Sequence, residues 1–277
     1  MTPSQLRSGQ TYAEVIGDPI AHSKSPAIHG FWLEKLGIDA NYRACHVRPD
    51  ELGEYFENRL QDTAWRGCNI TVPHKIAAMD HVADPGGIRD TIGAINTVIH
   101  QPDGSVIGTN TDAAGFYSPI ADLPLEGSTV AVIGTGGAAH AILFALARAQ
   151  VGSVTLLARN PLKGAAILAR FGLKGTVVAL DVPLPPVAVL VNATQLGMVG
   201  QLPLTLDLAP LPEDAVVYDI VYAPLRTSLL RAAEARGLAT VDGLEMLIGQ
   251  AALAFELFFG AAPPRQHDVE LRTLLTS

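Results

Sequence analysis

At 277 residues the chain is long enough for one large domain or two small ones with a full core. Its 48% hydrophobic and 17% charged residues suit a globular protein, and a formal net charge of −8 argues against a nucleic-acid or anionic-membrane surface. Cys45 and Cys68 make no disulfide framework, no Cys/His spacing resembles a zinc site, and neither a leader-like apolar segment in residues 1–10 nor a membrane-length apolar run exists, so a soluble cytoplasmic protein is expected.

In chain order, apolar runs alternate with helix-like stretches, the pattern of an α/β protein with parallel sheets. A strand is expected at Tyr12–Gly17, a helix over Pro26–Leu36, a strand around Tyr42–Val47 and a helix around Glu51–Leu60. Gly67–Val72 reads as the next strand, with a short helix after Lys75. Ala94–His100 and Val106–Thr109 flank Pro102-Asp103-Gly104, which reads as a hairpin turn. From residue 128 the grammar restarts, with a strand at Thr129–Ile133, a glycine-rich turn at Gly134–Ala139 and a helix at Ala141–Ala149. Val154–Leu157, Val187–Asn192 and Val216–Asp219 read as further strands, and the last segment, Leu244–Phe259, as an amphipathic helix. The restart suggests two lobes.

Polar residues gather where these strands end. In Asn69-Ile-Thr-Val-Pro-His-Lys75 the spacing of Asn69 and Thr71 points both side chains to one face of an extended chain. Pro73 stops strand pairing because it has no N–H to give. Lys75 follows at a strand exit, where a lysine can hold a carbonyl or hydroxyl oxygen and pass it a proton; a solvated surface lysine is the competing reading. His74 is set aside, because adjacent strand-end residues usually point apart. Ser25 before Pro26 reads as a helix N-cap, which leaves Ser23 without a structural role, and the two hydroxyls together also suit a carboxylate. Asn96 is expected to end the strand Ala94–Asn96, and Thr109-Asn110-Thr111-Asp112 to end the return strand, with Asp112 equally suited to cap a helix Ala113–Tyr117.

Gly134-Thr-Gly136-Gly137-Ala-Ala139 fits G-x-G-x-x-G/A directly after a strand and opening a helix. Gly134 permits the tight turn, Gly136 lets a pyrophosphate approach the backbone, and Ala139 is small enough for close helix–strand packing. The helix N-terminus supplies N–H donors for the phosphates. An NAD site would carry Asp or Glu at the end of the second strand, whereas here it ends Leu156-Leu157-Ala158-Arg159-Asn160, with Lys163 close behind. An arginine can hold a 2′-phosphate with two parallel hydrogen bonds, so NADP is favoured over NAD; a surface charge is the competing reading of Arg159.

With these segments in view the sequence resembles the shikimate dehydrogenase family. The matches are Ile16-Gly-Asp-Pro-Ile-Ala-His-Ser-Lys-Ser-Pro-Ala-Ile-His29, Asn69-Ile-Thr-Val-Pro-His-Lys75, Ile92-Gly-Ala-Ile-Asn-Thr97, Gly108-Thr-Asn-Thr-Asp112, Asn192-Ala-Thr-Gln-Leu-Gly-Met198 and Asp242-Gly-Leu-Glu-Met-Leu-Ile-Gly-Gln250. They occur in the family's order across nearly the whole chain.

The resemblance implies a substrate-binding lobe of residues 1–112 completed by C-terminal helices in 243–277, and a Rossmann-like NADP lobe of residues 113–242. It implies that Ser23 and Ser25 bind the substrate carboxylate with Tyr222 and Gln250 nearby, and that Asn69, Thr71, Asn96, Asp112 and Gln250 bind ring hydroxyls. Lys75 and Asp112 form the acid/base pair. Gly134, Gly136, Gly137, Ala138, Arg159, Thr194, Ile220 and Gly243 hold NADP(H). The implied reaction is the reversible NADPH-dependent reduction of 3-dehydroshikimate to shikimate in aromatic amino-acid biosynthesis, by a monomer or homodimer with no metal, nucleic-acid or membrane partner.

Three positions depart from the family's pattern. Gly30 stands where asparagine is usual, Ala158-Arg159-Asn160 replaces Asn-Arg-Thr, and Ser228 stands where proline is common. The second departure keeps the arginine and removes the donors that flank it, so NADP preference is expected to be weaker. A quinate/shikimate dehydrogenase that uses NAD is the nearest alternative. Ser25 and the lack of an acidic residue after Leu157 argue mildly against it. A catalytically silent ligand-binding paralogue is the alternative of a different class, disfavoured by Lys75 and Asp112.

Overall fold

Every residue of Thr11–Gly17 (β1) after the first is buried, Glu14 included, and this apolar strand organises the first part of the protein. The structure, a computed structural model, describes residues 9–276; residues 1–8, on which most of the leader reading rests, lie outside them. The chain divides into two compact units, one ending at Thr111 and resuming at Gln250, the other Asp112–Gly249.

In the first unit β1 is followed by α1 (Ser25–Leu36), β2 (Ala40–His46), α2 (Leu52–Leu60), β3 (Trp65–Ile70), the short α3 (Ile88–Thr91), β4 (Thr97–His100) and β5 (Val106–Thr109). The sheet runs β2-β1-β3-β4-β5, parallel across its first three strands and antiparallel through β4 and β5, so the hairpin around Pro102-Asp103-Gly104 forms as expected.

Both faces of this sheet are covered, and each is held differently. On the α2 face, Tyr12, Ile16, Phe56, Trp65 and Ile70 form an apolar core. Within it the Glu14 carboxylate accepts from Arg43 Nε at 2.7 Å, Arg59 Nε at 2.8 Å and Tyr55 Oη at 2.9 Å. A buried charge survives only when paired in this way, and removing one partner of such a pair costs about 3–5 kcal/mol. On the opposite face, His29 of α1 stacks on Tyr42 of β2, ring centroids 3.8 Å apart and planes within 3°. Phe255 and Phe258 pack against the same imidazole.

The second unit opens with α4 (Asp112–Tyr117) and continues through β6 (Thr129–Ile133), α5 (Gly137–Arg148), β7 (Ser153–Leu157), α6 (Pro161–Arg170), β8 (Gly175–Val178), β9 (Val189–Asn192), β10 (Val216–Asp219), α7 (Ser228–Ala235) and β11 (Ala239–Val241). All six strands are parallel, in the order β11-β10-β9-β6-β7-β8. This is a doubly wound sheet whose strand order reverses between β6 and β9. Ile133, Leu190, Val217 and Leu230 belong to its core, and Phe116 of α4 stacks on Tyr218 at 5.0 Å.

A single helix, α8 (Gly243–Phe259), carries the chain back from the second unit to the first. A further helix, α9 (Asp268–Thr276), corrects the expectation that Leu244–Phe259 is the last element. It packs on α1, where Lys24 Nζ donates to the carbonyl of Leu275 and so serves the orphan acceptors of its last turn. The helices α6 and α7 likewise have no counterpart among the elements expected from the sequence. Among the described residues no helix is long and apolar enough to cross a membrane.

Complete burial lowers the His29 pKa from 6.5 to about 3. The native state therefore refuses a proton that the unfolded chain accepts, and stability falls as pH drops below 6.5, the loss being complete near pH 3. We expect urea unfolding to show a wild-type loss about 2 kcal/mol larger than that of His29→Phe between about pH 7 and pH 5. Parallel curves for the two proteins would contradict the burial argument.

Candidate active site

In the first unit the strand exit after β3 is built from the backbone outward. β3 ends at Ile70, yet Thr71 N–H still donates to Ile16 O at 3.0 Å and Asp18 N–H to Val72 O at 3.0 Å, so the chain stays beside β1 up to the cis Val72–Pro73 bond. A turn follows, closed by His74 N–H to Thr71 O at 2.9 Å. The His74 ring is buried and its Nε2 donates to Val47 O at 2.7 Å. That bond removes His74 from chemistry. Lys75, the next residue, is half-exposed, and its carbonyl accepts from Ile95 N–H at 2.8 Å. The turn bearing the lysine is thereby fixed beside the segment that contains Asn96.

Asn96 precedes β4 rather than ending a strand, which corrects the expected Ala94–Asn96 strand. It is nevertheless held in a ladder-like setting, its N–H donating to Thr109 O at 3.1 Å and its carbonyl accepting from Ile70 N–H at 2.7 Å. Its buried side chain is a hub. Asn96 Oδ1 accepts from Thr111 N–H at 2.7 Å and Thr97 Oγ1 at 3.1 Å, while Nδ2 donates to Thr111 Oγ1 at 2.9 Å and Gln250 Oε1 at 3.3 Å. Asn69 joins through Nδ2 to Thr97 Oγ1 at 3.0 Å. Asn69, Asn96 and Gln250, which lie far apart in sequence, thus meet in one network. Thr97 and Thr111, not singled out from the sequence, complete it. Asp112, the residue after Thr111, is buried at the start of α4.

The two serines exchange the roles expected of them. Lys24 is the N-cap of α1, and Ser25 is the first helical residue, buried, with Pro26 following. Ser23 instead does the local work, its Oγ accepting from Ser25 N–H at 3.3 Å. Ser25 misses the capping position because the helix begins one residue earlier than the cap reading requires, which puts Ser25 at its first helical position.

In the second unit the expected cofactor residues follow the carboxyl ends of five neighbouring strands, β11, β10, β9, β6 and β7. Gly134 follows β6 with φ of 107°, and an ideal Cβ there would come within 2.7 Å of Thr194 Cγ2, so this position must be glycine. Gly136 has ordinary φ and nothing within 4 Å of an added Cβ. That room above the turn, at the N-terminus of α5, fits a pyrophosphate held by Gly136, Gly137 and Ala138 N–H groups. Ala139 is fully buried against the sheet.

Arg159 is exposed two residues beyond β7, whose last residue Leu157 accepts from Gly134 N–H at 2.9 Å. Asn160 is occupied as the N-cap of α6, accepting from Lys163 N–H at 3.1 Å. After β9, Thr194 is pinned by Asn192 Oδ1, which accepts from its N–H at 3.0 Å and its hydroxyl at 2.7 Å. Asn192 Nδ2 donates in turn to the buried Asp219 at 2.9 Å, and Thr227 donates to the same carboxylate at 2.7 Å. Burial raises the Asp219 pKa, opposed by these hydrogen bonds. After β10, Ile220 N–H donates to Asn192 O at 3.2 Å, and an added Cβ on Gly243 would come within 2.3 Å of Ile220 O. Gly243 is therefore glycine because the backbone passes there. Tyr222 is half-exposed on the same stretch. Ser228 is the first residue of α7, a position that proline also favours, so this departure from the family's pattern leaves the helix intact.

A family model described as the shikimate dehydrogenase substrate binding domain matches residues 15–98, and one described as the shikimate 5'-dehydrogenase C-terminal domain matches residues 243–268. The chain is 68% identical, over 96% of its length and 97% of the relative's, to shikimate dehydrogenase (NADP(+)) of Sphingopyxis alaskensis. It is 45% identical to the protein of the same description from Methylobacterium radiotolerans, over 91% of this chain and 92% of that one. Among solved structures it is similar to shikimate 5-dehydrogenase from Thermus thermophilus in complex with NADP(H) and shikimate. That likeness has a TM-score of 0.84 and 37% identity, covering 96% of this chain and 100% of the other.

The two glycines separate packing from ligand binding. Gly134→Ala is expected to lower the melting temperature of the ligand-free protein by several degrees, because Thr194 or the turn must shift. Gly136→Ala is expected to leave that temperature unchanged within about a degree, the usual result for a tolerated position. Equal melting temperatures for the two variants would mean that the turn is not set as described.

Proposed function

The chain belongs to the shikimate dehydrogenase family, and from that premise we propose how its residues divide the work. It catalyses the reversible reduction of 3-dehydroshikimate to shikimate with NADPH, an oxidoreductase step in aromatic amino-acid biosynthesis. The first unit is the substrate-binding unit and the second is the NADP-binding unit. The observation that carries this reading is the amide and hydroxyl network centred on Asn96, with the turn of Lys75 held beside it through Ile95.

Hydride delivered to the ketone carbon leaves negative charge on oxygen, and a positioned ammonium both stabilises that charge and supplies the proton. Lys75 takes this role. In the oxidation direction its neutral amine receives the proton from the alcohol. Asp112 is its acid/base partner and a ligand for a ring hydroxyl. Asn69, Thr71, Asn96 and Gln250 bind ring hydroxyls, and Ser23 and Ser25, with Tyr222, bind the carboxylate. Bound NADP(H) supplies or takes the hydride. Gly134, Gly136, Gly137 and Ala138 would hold its pyrophosphate and Arg159 its 2′-phosphate, with Thr194, Ile220 and Gly243 as further cofactor-binding residues.

The free thiols of Cys45 and Cys68 support a cytoplasmic location, and the working form is a monomer or homodimer. A second reading, dual use of NAD and NADP or of quinate, draws support from Asn160. Its carboxamide oxygen caps α6 and leaves Arg159 as the principal phosphate donor.

Lys75→Ala is expected to lower kcat at least about 10²-fold with a native far-UV spectrum, the scale of one lost acid/base group. Near-normal kcat would remove Lys75 from the mechanism. Steady-state rates with shikimate and quinate, each with NADP and NAD, separate the two readings: a dominant shikimate–NADP rate supports the first, and comparable rates across the panel support the second.

A further inference from the structure

Tyr42 is a β2 residue that no motif singles out. Its ring is buried and stacked on His29, with Phe258 tilted against it at 6.3 Å. Both ring nitrogens of His29 lack a hydrogen-bond partner, so the imidazole serves here as a flat apolar surface. The polar end of Tyr42 is directed by this packing: its hydroxyl donates to Asn69 Oδ1 at 2.6 Å, across from β2 to β3.

The donors and acceptors then run in one direction. Tyr42 Oη gives its proton to Asn69 Oδ1, Asn69 Nδ2 donates to Thr97 Oγ1 at 3.0 Å, and Thr97 Oγ1 donates to Asn96 Oδ1 at 3.1 Å. Asn96 Nδ2 donates to Gln250 Oε1 at 3.3 Å. The second amide hydrogen of Asn69 goes to Asn96 O at 3.3 Å. An amide has two N–H donors and two oxygen lone pairs. Both donors of Asn69 are therefore engaged, one lone pair is taken by Tyr42, and one lone pair is left.

We infer that Tyr42 is a positioning residue that fixes the Asn69 carboxamide as a hydrogen-bond acceptor for one ring hydroxyl of the substrate. The inference rests on the assignment of Asn69 to a ring hydroxyl made above, and it adds the polarity of that contact and the group that enforces it. Without the phenol hydroxyl, Oδ1 loses its anchor at the back of the site and only the two Nδ2 bonds hold the amide plane. Contacts that depend on a fixed lone pair weaken most, while cofactor contacts in the other unit are untouched.

The test compares Tyr42→Phe and Asn69→Ala with the wild type, using shikimate and two analogues that each lack one of its non-reacting ring hydroxyls. The phenylalanine keeps the stack on His29, and far-UV spectra and melting curves establish that both variants are folded. Tyr42→Phe is expected to lower kcat/KM for shikimate about fivefold, the range of one hydrogen bond, with KM for NADP unchanged. It should lower kcat/KM for one analogue hardly at all, the same analogue toward which Asn69→Ala is least impaired. A purely structural role would depress all three substrates by the same factor, and that result overturns the inference. If Asn69→Ala loses discrimination against one analogue while Tyr42→Phe retains it in full, the Tyr42 inference fails alone. If Asn69→Ala itself discriminates as the wild type does, the assignment of Asn69 fails and the inference with it.

Discussion

A carboxamide cannot be buried without placing its hydrogen-bonding groups, and the polar network of the first unit depends on how Asn96 meets that requirement. Its side chain ties the entry to β4, the chain leaving β5 and the distant Gln250 turn of α8 to one another, so three segments take up one arrangement. The Lys75 turn is fastened to this same point by its backbone, through Ile95. The lysine is half-exposed, while the turn that bears it is bonded beneath. His74, beside it, is spent on Val47 and contributes by keeping the turn in place.

The second unit solves a different problem. A dinucleotide asks for bare backbone, and on the proposed assignment the strand order supplies it where β6 and β9 diverge. Here the packed polar side chains lie behind the strand ends. Asn192, Asp219 and Thr227 form a buried polar cluster whose visible product is the position of Thr194. The contrast with the first unit is chemical: hydroxyl recognition needs oriented side chains, whereas phosphate recognition needs N–H groups and room.

Much of this was legible in the sequence because burial follows the strand pattern directly. Thr129–Ile133 and Val216–Asp219 stand where the apolar runs place them, and the glycine turn opens α5 as its spacing requires. The hairpin followed from its turn residues. What escaped has physical reasons. The tail helix α9 is too polar to stand out as an apolar stripe, and its attachment comes from Lys24, some 250 residues earlier. Serine before proline usually caps a helix, yet Lys24 takes that place here. Thr97, Thr111 and Tyr42 carry no local signal at all, since each matters through a partner on another strand or helix; Tyr42 and Asn69 are 27 residues apart.

The one-directional run of bonds from Tyr42 to Gln250 also bears on how this protein can change over generations. A replacement at Asn69, Thr97 or Asn96 strands a donor or an acceptor on its neighbour, so each residue raises the cost of altering the next. Drift toward a differently hydroxylated ring would have to move these positions together, through intermediates less fit than either end. Ser23 and Ser25 are hydrogen-bonded to each other and stand apart from that run, so one of them can vary without disturbing it. On the proposed assignment, substrate choice can therefore change at the serines more readily than at the amides.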